Sequence, residues 1–509
     1  MAGSKKKKSS TLILLLIAMI VLIGACFWLI KYNDKKDAGK TDEADTNTET
    51  IADIAEDSIQ TIYFKNEKTE MTLDKGEDGN WKNSKDESFP VNQTYAQNMS
   101  KAFTKLTSTR TLTEGVEDLS GFGLDNPVMS VTVTDKDGKK TTVALGIEAP
   151  VTGGYYAALN GDGKVYIIAA SFYNNFNYDQ IQMATVETIP AITAANITHL
   201  SVIKKDQPGF DIQYDPEVTS DYAGISNWTM NQPYEVPLSA DADAVNTLLA
   251  NYTALSFTSC ADYNAKDLSQ YGLDNPAVSV SLDYFEEYTK DSATTDTADT
   301  TDSNTTDQKE EKTRIDYQLE LLIGAKDGDG NYYVKTGDSS AVNIMSADMV
   351  DKIINIDAFG IVNHYVNLVN LDTINKVDIA FEGKTYTLST EKTKAASDDG
   401  QSGDAQEEVT TYYFNGTKVE EDPFKKLYQT IISPTTEHDI PAEYFAQNKE
   451  QTPYMTLTYH LKEGGTIDIA YKPYDDSYFV ANTNGVEYFL TDLRKVKEIA
   501  TALQAFTGK

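Results

Sequence analysis

The chain has 509 residues and a formal net charge of −34, from 78 Asp and Glu against 44 Lys and Arg. At roughly 150 residues per domain, that length suggests about three domains. So strong an anion excludes general nucleic-acid binding, because phosphate contact needs Lys and Arg to displace counterions; 10 % aromatic and 40 % apolar residues exclude a wholly disordered chain.

Residues 1–10 carry the basic run Lys5 to Lys8 and read as a cytoplasmic tail. Residues 11–30, TLILLLIAMIVLIGACFWLI, contain no charge. At about 1.5 Å per residue, such a helix spans roughly 30 Å, the depth of a bilayer core. The spacing of charges predicts a single transmembrane helix with the N-terminus cytoplasmic and the body extracytoplasmic. The lipid bilayer is thus an expected partner. A cleaved signal peptide fits less well, since no small-x-small site closes the run. A lipoprotein anchored at Cys26 is the alternative, but Phe27-Trp28-Leu29-Ile30 continues the apolar run past that Cys. The other Cys, Cys260, reads as a small packing residue.

An acidic stalk linker is expected over 31–50. Residues 41–57 hold seven acids and no base, and their end reads as the start of the fold. Two more acidic segments, 291–311 and 395–409, lack apolar periodicity and interrupt strand-like sequence, so they read as disordered hairpin loops.

The body repeats itself. Leu119-Ser120-Gly121-Phe122-Gly123-Leu124-Asp125-Asn126-Pro127 returns as Leu268-Ser269-Gln270-Tyr271-Gly272-Leu273-Asp274-Asn275-Pro276, seven of nine residues identical. Downstream, Leu145-Gly146 matches Ile323-Gly324, and Val165-Tyr166-Ile167-Ile168 matches Val342-Asn343-Ile344-Met345. Upstream, paired alternating strands at 59–73, 197–214 and 374–388 precede Trp81, Trp228 and Tyr413, which mark equivalent strand starts. One amphipathic helix follows each. Its apolar face is Tyr95, Met99, Phe103 and Leu106 in the first, then Val245, Leu248, Leu249, Tyr252 and Leu255, then Phe424, Leu427, Tyr428 and Ile431. Asp422-Pro423 reads as the cap and first turn of the third helix. That third copy lacks the Gly-Leu-Asp-Asn-Pro string; Phe445, Asn448 and Pro453 stand in the matching places. The fold class is α+β: three tandem units of antiparallel strands with one main helix each, over 51–195, 196–371 and 372–509.

The repeated string reads as a turn feeding a strand. Gly123 and Gly272 permit positive φ; Asn126 and Asn275 are held extended by Pro127 and Pro276. Asp125 and Asp274 are expected to bond nearby backbone. Leu119, Leu124 and the ring at 122 are expected beneath the helix; Leu268, Tyr271 and Leu273 are their counterparts in the second copy of the string. The competing reading is a ligand or partner site built from two equivalent loops.

Catalytic signals are weak. There is no Gly-x-Ser-x-Gly, no His-Glu-x-x-His and no phosphate-binding loop. His199, His364, His438 and His460 are isolated. Asp327-Gly328-Asp329-Gly330-Asn331 lacks the Gly and Glu that a calcium loop needs, so it reads as a hairpin turn. Asp135-Lys136-Asp137-Gly138 and Asn160-Gly161-Asp162-Gly163 read the same way. No cofactor, metal site or catalytic residue is assigned.

The order of anchor, Tyr/Phe-Gly-Leu-Asp-x-Pro, Ile/Leu-Gly, Tyr-Tyr and Val-Tyr-x-Ile steps resembles the bacterial domain-of-unknown-function 4340 family, over 58–185 and 197–356 and more weakly over 372–509. The resemblance implies an envelope protein associated with an ATP-binding cassette (ABC) transporter permease and a gliding-motility-type auxiliary subunit, and it supplies no catalytic residues. The expectation is a non-enzymatic accessory subunit or scaffold. The alternatives are a cell-wall or glycan-binding protein and an unrecognised carboxylate-dependent hydrolase.

Overall fold

Strands form where apolar residues alternate. In Ile59–Lys65, Ile59, Ile62 and Phe64 are buried between more exposed neighbours, and burying such a side chain contributes roughly 1.5–3 kcal/mol. The computed structural model describes residues 48–150, 153–217, 222–289, 312–394, 408–446 and 451–508. The expected membrane helix 11–30, Cys26 and most of the stalk lie outside them. Among the described residues, no helix is long and apolar enough to cross a membrane.

The described residues divide into two compact bodies, one ending at Met183 and the other beginning at Ala184. The first holds β1 (Glu49–Ala52), β2 (Ile59–Lys65), β3 (Glu70–Lys75), β4 (Trp81–Asn83), α1 (Gln93–Lys101), β5 (Leu106–Leu112), β6 (Met129–Asp135), β7 (Lys140–Glu148), β8 (Tyr155–Leu159), β9 (Val165–Ile168) and α2 (Ala170–Phe176). Its antiparallel sheet runs β1-β5-β9-β8-β7-β6-β2-β3-β4.

The second body holds two such sheets. Repeat 2 comprises β10 (Ile197–Lys204), β11 (Phe210–Tyr214), β12 (Trp228–Gln232), β13 (Leu238–Ser239), α3 (Ala242–Leu249), β14 (Ser259–Asp262), β15 (Val278–Thr289), β16 (Lys312–Lys326), β17 (Tyr332–Thr336), β18 (Val342–Met345) and α4 (Ala347–Ile354). Repeat 3 comprises β19 (Ile374–Phe381), β20 (Lys384–Lys394), β21 (Glu408–Phe414), β22 (Thr417–Val419), α5 (Glu421–Ile431), β23 (Thr436–Asp439), α6 (Ala442–Ala446), β24 (Met455–Leu461), β25 (Thr466–Pro473), β26 (Tyr478–Thr483), β27 (Val486–Asp492) and α7 (Leu493–Ala505). Their orders are β14-β18-β17-β16-β15-β10-β11-β12-β13 and β23-β27-β26-β25-β24-β19-β20-β21-β22. Eight strands therefore follow one order in all three sheets, the diverged third copy included.

Trp81 and Trp228 start equivalent strands and are both buried. In repeat 3 the buried ring is Tyr412, one residue before the expected Tyr413; it packs 4.9 Å from Phe424.

The expectation of one main helix per unit is corrected. Each repeat carries a second helix, and repeat 3 also the short α6. In repeat 3, Phe424 and Leu427 of α5 share one core with Val496, Ile499 and Leu503 of α7. The first helix of repeat 1 also ends at Lys101, so Phe103 and Leu106 are buried beyond it. α5 begins at Glu421, and Asp422 and Pro423 lie inside its first turn rather than capping it. Asn92 and Asp241 do cap α1 and α3, accepting the Tyr95 and Ala244 amides at 3.2 and 2.8 Å.

Three boundaries also shift. Glu49 and Thr50 belong to edge strand β1, where Glu49 accepts the Thr111 hydroxyl at 2.7 Å. Residues 184–195 belong with repeat 2, because Ile189 and Ile192 join its core. The end of the third acidic segment, Glu408 and Val409, is already strand β21. The second and third acidic segments otherwise lie outside the described residues, but their ends pair as hairpins, Thr289 with Lys312 and Lys394 with Glu408.

Within the second body, residues 362–365 bridge the two sheets. Val362 pairs with Ala240 beside β13, and Tyr365 pairs with Thr435 beside β23. The Asn363 amide donates to Ser239 O at 2.8 Å and the Thr436 amide to His364 O at 2.7 Å. The linker thus pairs with part of one edge of each sheet, which satisfies some of the backbone groups exposed there.

Candidate functional site

The repeated string forms two matching loops. Leu119–Phe122 and Ser269–Tyr271 are single 3-10 turns, each ended by Gly123 or Gly272 at φ 67° and 66°. Leu124 and Leu273 are buried, whereas Leu119 is exposed and Leu268 half-buried. The rings do not lie beneath the helix as expected. Phe122 meets Tyr156 of β8 edge-on at 5.0 Å, and Tyr271 meets Tyr333 of β17 at 5.0 Å.

Asp125, Asn126, Asp274 and Asn275 are exposed, with Pro127 exposed and Pro276 half-buried. The carboxylate that closes each loop is instead one residue upstream of the string. Asp118 accepts the Ser120 amide at 2.9 Å and its hydroxyl at 2.6 Å; Asp267 does the same with Ser269 at 2.9 and 2.6 Å. The serine hydroxyl bonds, then the amide bonds, hold both carboxyls below the ordinary Asp value. The string is therefore one residue longer than the nine read from sequence, and Asp118 and Asp267 were visible there as a further identity.

The Leu145-Gly146 and Ile323-Gly324 steps explain the string. A Cβ on Gly146 would lie 1.9 Å from Phe122 O, and one on Gly324 2.2 Å from Tyr271 O. Both glycines sit where the register slips, between Leu145 and Glu148 and between Ile323 and Lys326. Each loop is thus wedged backbone-to-backbone against a bulge, which glycine alone permits. In repeat 3, Met455 pairs with Tyr471 as Met129 pairs with Leu145, so Lys472 occupies the glycine place. Its Nζ lies 2.5 Å from Glu487 Oε1. Loop and glycine are lost together. The short helix α6 stands there instead, with Phe445 exposed; Asn448 lies outside the described residues.

Cys260 has a structural account of the same kind. It pairs with Asn343 beside a bulge of β14, whereas the bulges of β5 and β23, at Ser108 and Thr436, lie two residues away from that place along the partner strand. All three are small and buried. Burial, with Asp262 and Glu187 nearby, pushes the Cys260 thiol up to about 11.

The histidines are dispersed. His199 lies between Asp211 and Asp283 at 2.8 and 3.2 Å, and His460 lies 2.9 Å from Asp378. No cluster of three or more metal-ligating side chains occurs among the described residues. At Asp327 the carboxylate accepts the Asp329 and Asn331 amides at 2.9 and 2.8 Å, as a hairpin turn does.

A pair of adjoining concavities lies where repeats 2 and 3 meet, and sequence reading did not find them. A cleft of about 220 Å³ runs between β13, the bridging linker and the β26–β27 hairpin. It adjoins a second of about 670 Å³, sharing Val236, Val486 and Tyr488. Tyr234 donates to Asp439 Oδ1 at 3.0 Å. Burial, and then Asp439, raises the Tyr234 hydroxyl, while burial also raises the Asp439 carboxyl, with Asp357 adding to it. Of the residues read from sequence, only Val486, Tyr488 and Phe489, taken there as a repeated strand, line the first cleft.

Tandem copies of one eight-strand antiparallel order, each with at least two helices, define a repeat-built α+β protein. The chain belongs to the family described as Domain of unknown function (DUF4340), whose profile matches residues 81–223 and 228–431. The two matches open on Trp81 and Trp228, the equivalent residues of β4 and β12. No curated protein and no solved structure matches the chain.

Proposed function

We propose that this chain is a non-enzymatic, membrane-anchored extracytoplasmic accessory subunit or scaffold, working with an ABC-type export complex. The observation that carries the reading is the architecture. Three copies of one sheet are strung behind a 20-residue uncharged N-terminal segment, and the last two are joined edge to edge by residues 362–365. The strongest sequence signal, the repeated loop, is spent on closing a bulge, which leaves the repeats as presenting surfaces. A repeat array of this kind offers extended binding faces. The anchor and the family resemblance supply the membrane and the transporter.

The test is affinity capture of the full chain from membranes in mild detergent. Recovery of a permease and an auxiliary subunit in constant ratio is expected. Capture that returns neither, with the bait intact, contradicts the proposal.

A further inference from the structure

The cleft between repeats 2 and 3 has a chemistry of its own. Its sixteen lining residues include no Asp, Glu, Lys, Arg or His. In a chain with 24 % charged residues that absence selects against charged ligands. Its walls combine rings with short polar groups. Tyr222 and Tyr365 are 43 % and 48 % exposed, and Tyr488 lies deeper. Asn363, Asn484 and Thr436 stand among them.

These groups are held in place. Asn484 Nδ2 donates to the Tyr222 hydroxyl at 2.8 Å, and Asn484 Oδ1 accepts the Asp468 amide at 2.8 Å. The Val236 amide donates to the Tyr488 hydroxyl at 2.8 Å. Asn363 Oδ1 accepts the Tyr365 amide at 3.0 Å, which leaves its amide nitrogen as a donor. Asn484 adopts φ 51°, a left-handed conformation that asparagine accepts more readily than most residues. Asn484 and the Tyr222 and Tyr488 hydroxyls are thus preorganised, and preorganisation is what lets exposed side chains contribute affinity.

We infer that this cleft binds a neutral carbohydrate chain, with Tyr222 and Tyr365 supplying ring faces and Asn363 and Asn484 the polar contacts. A sugar has apolar C–H faces that suit tyrosine rings and hydroxyls that suit amides. An acyl chain uses none of the amides. An ionic ligand finds no countercharge in the cleft. The adjoining 670 Å³ cavity, reached past Val236, Val486 and Tyr488, extends the groove beyond one sugar unit, and there Glu235, Asp439 and Glu487 add carboxylates that the first cleft lacks. The cleft depends on the repeat 2–repeat 3 joint, since β13 and the bridging linker form one wall and the β26–β27 hairpin the other. It stands independently of the transporter reading.

The experiment is titration calorimetry on the full chain, in a detergent without a sugar headgroup. The probes are cellotetraose, the N-acetylglucosamine tetramer and palmitate. Saturable binding of at least one tetrasaccharide is expected. Tyr222→Ala and Tyr365→Ala should each weaken it about tenfold, the size of a typical anchoring contact. Tyr214→Ala, an exposed ring on β11, should leave it unchanged. Failure of both tetrasaccharides to bind, saturation by palmitate alone, or an affinity unchanged in both cleft variants overturns the inference.

Discussion

Repeats 1 and 2 keep a loop that repeat 3 has abandoned, and the three sheets are otherwise ordered alike. In the first two, a backbone carbonyl presses into a glycine at a bulge. In the third, Lys472 fills that place and pairs with Glu487. The core beneath changes too. Tyr459 and Tyr471 are fully buried where Val133 and Leu145 stand in repeat 1. The difference teaches that the repeated string is a fitted part. It persists where its seat persists and goes where the seat goes. A loop kept for binding alone has no reason to depend on a glycine in a neighbouring strand.

The largest expected effect is on that seat. Gly324→Ala places a Cβ 2.2 Å from Tyr271 O, so backbone must move. A destabilisation of about 3 kcal/mol is expected by chemical denaturation, at the upper end of overpacking costs. Gly146→Ala should behave alike, whereas Lys472→Ala should lose only the pair with Glu487.

Next comes Gly272→Ala. It forces a side chain to φ 66° with Ala325 N 3.0 Å away, and about 1–2 kcal/mol is expected from the left-handed conformation. The same measurement on Gly123→Ala should agree with it.

A smaller effect is set by pH. Asp118 and Asp267 are held below the ordinary Asp value when folded. Their contribution is present above the unfolded value of 3.8 and is lost as pH falls through the lower folded value. Denaturation midpoints should fall on the acid side of 3.8, and Asp267→Asn should make that fall shallower.

The smallest effect belongs to Cys260→Ser. Serine is close to cysteine in size, and the thiol makes only a long contact of 3.9 Å to Val342 O. A change under about 1 kcal/mol is expected, as for replacements that keep size and bonding. The native thiol should resist alkylation at neutral pH, since its value is pushed up to about 11.

Sequence made the repeats legible because identity at Gly-Leu-Asp-Asn-Pro survives without any structure. It also placed the helix face in repeat 3, where Phe424, Leu427 and Ile431 are buried, and that of repeat 2 in part: Val245, Leu248 and Leu249 are buried on α3, whereas Tyr252 and Leu255 are buried beyond its end. The second helix of each unit was hidden in repeat 1 by its length. α2 has seven residues and buries only Phe172 and Phe176, too few for a helical period. In repeat 3 the period of Val496, Ile499, Ala500 and Leu503 was present but had no clear counterpart upstream. The seat of the loop was visible only as a repeated Leu/Ile-Gly, because the carbonyl it meets lies more than twenty residues away. The junction cleft was illegible for a stronger reason. Its walls come from a linker and two hairpins that no local pattern brings together.

The coupling of glycine and loop is the central claim, and amide hydrogen exchange on Gly324→Ala tests it most directly. In the native chain the Gly272 amide donates to Ser269 O at 3.0 Å and the Leu273 amide to Leu268 O at 3.0 Å. Loss of protection at Gly272 and Leu273, with the core of β15 still protected, is the predicted result. Unchanged protection at those two amides in the variant would contradict the account.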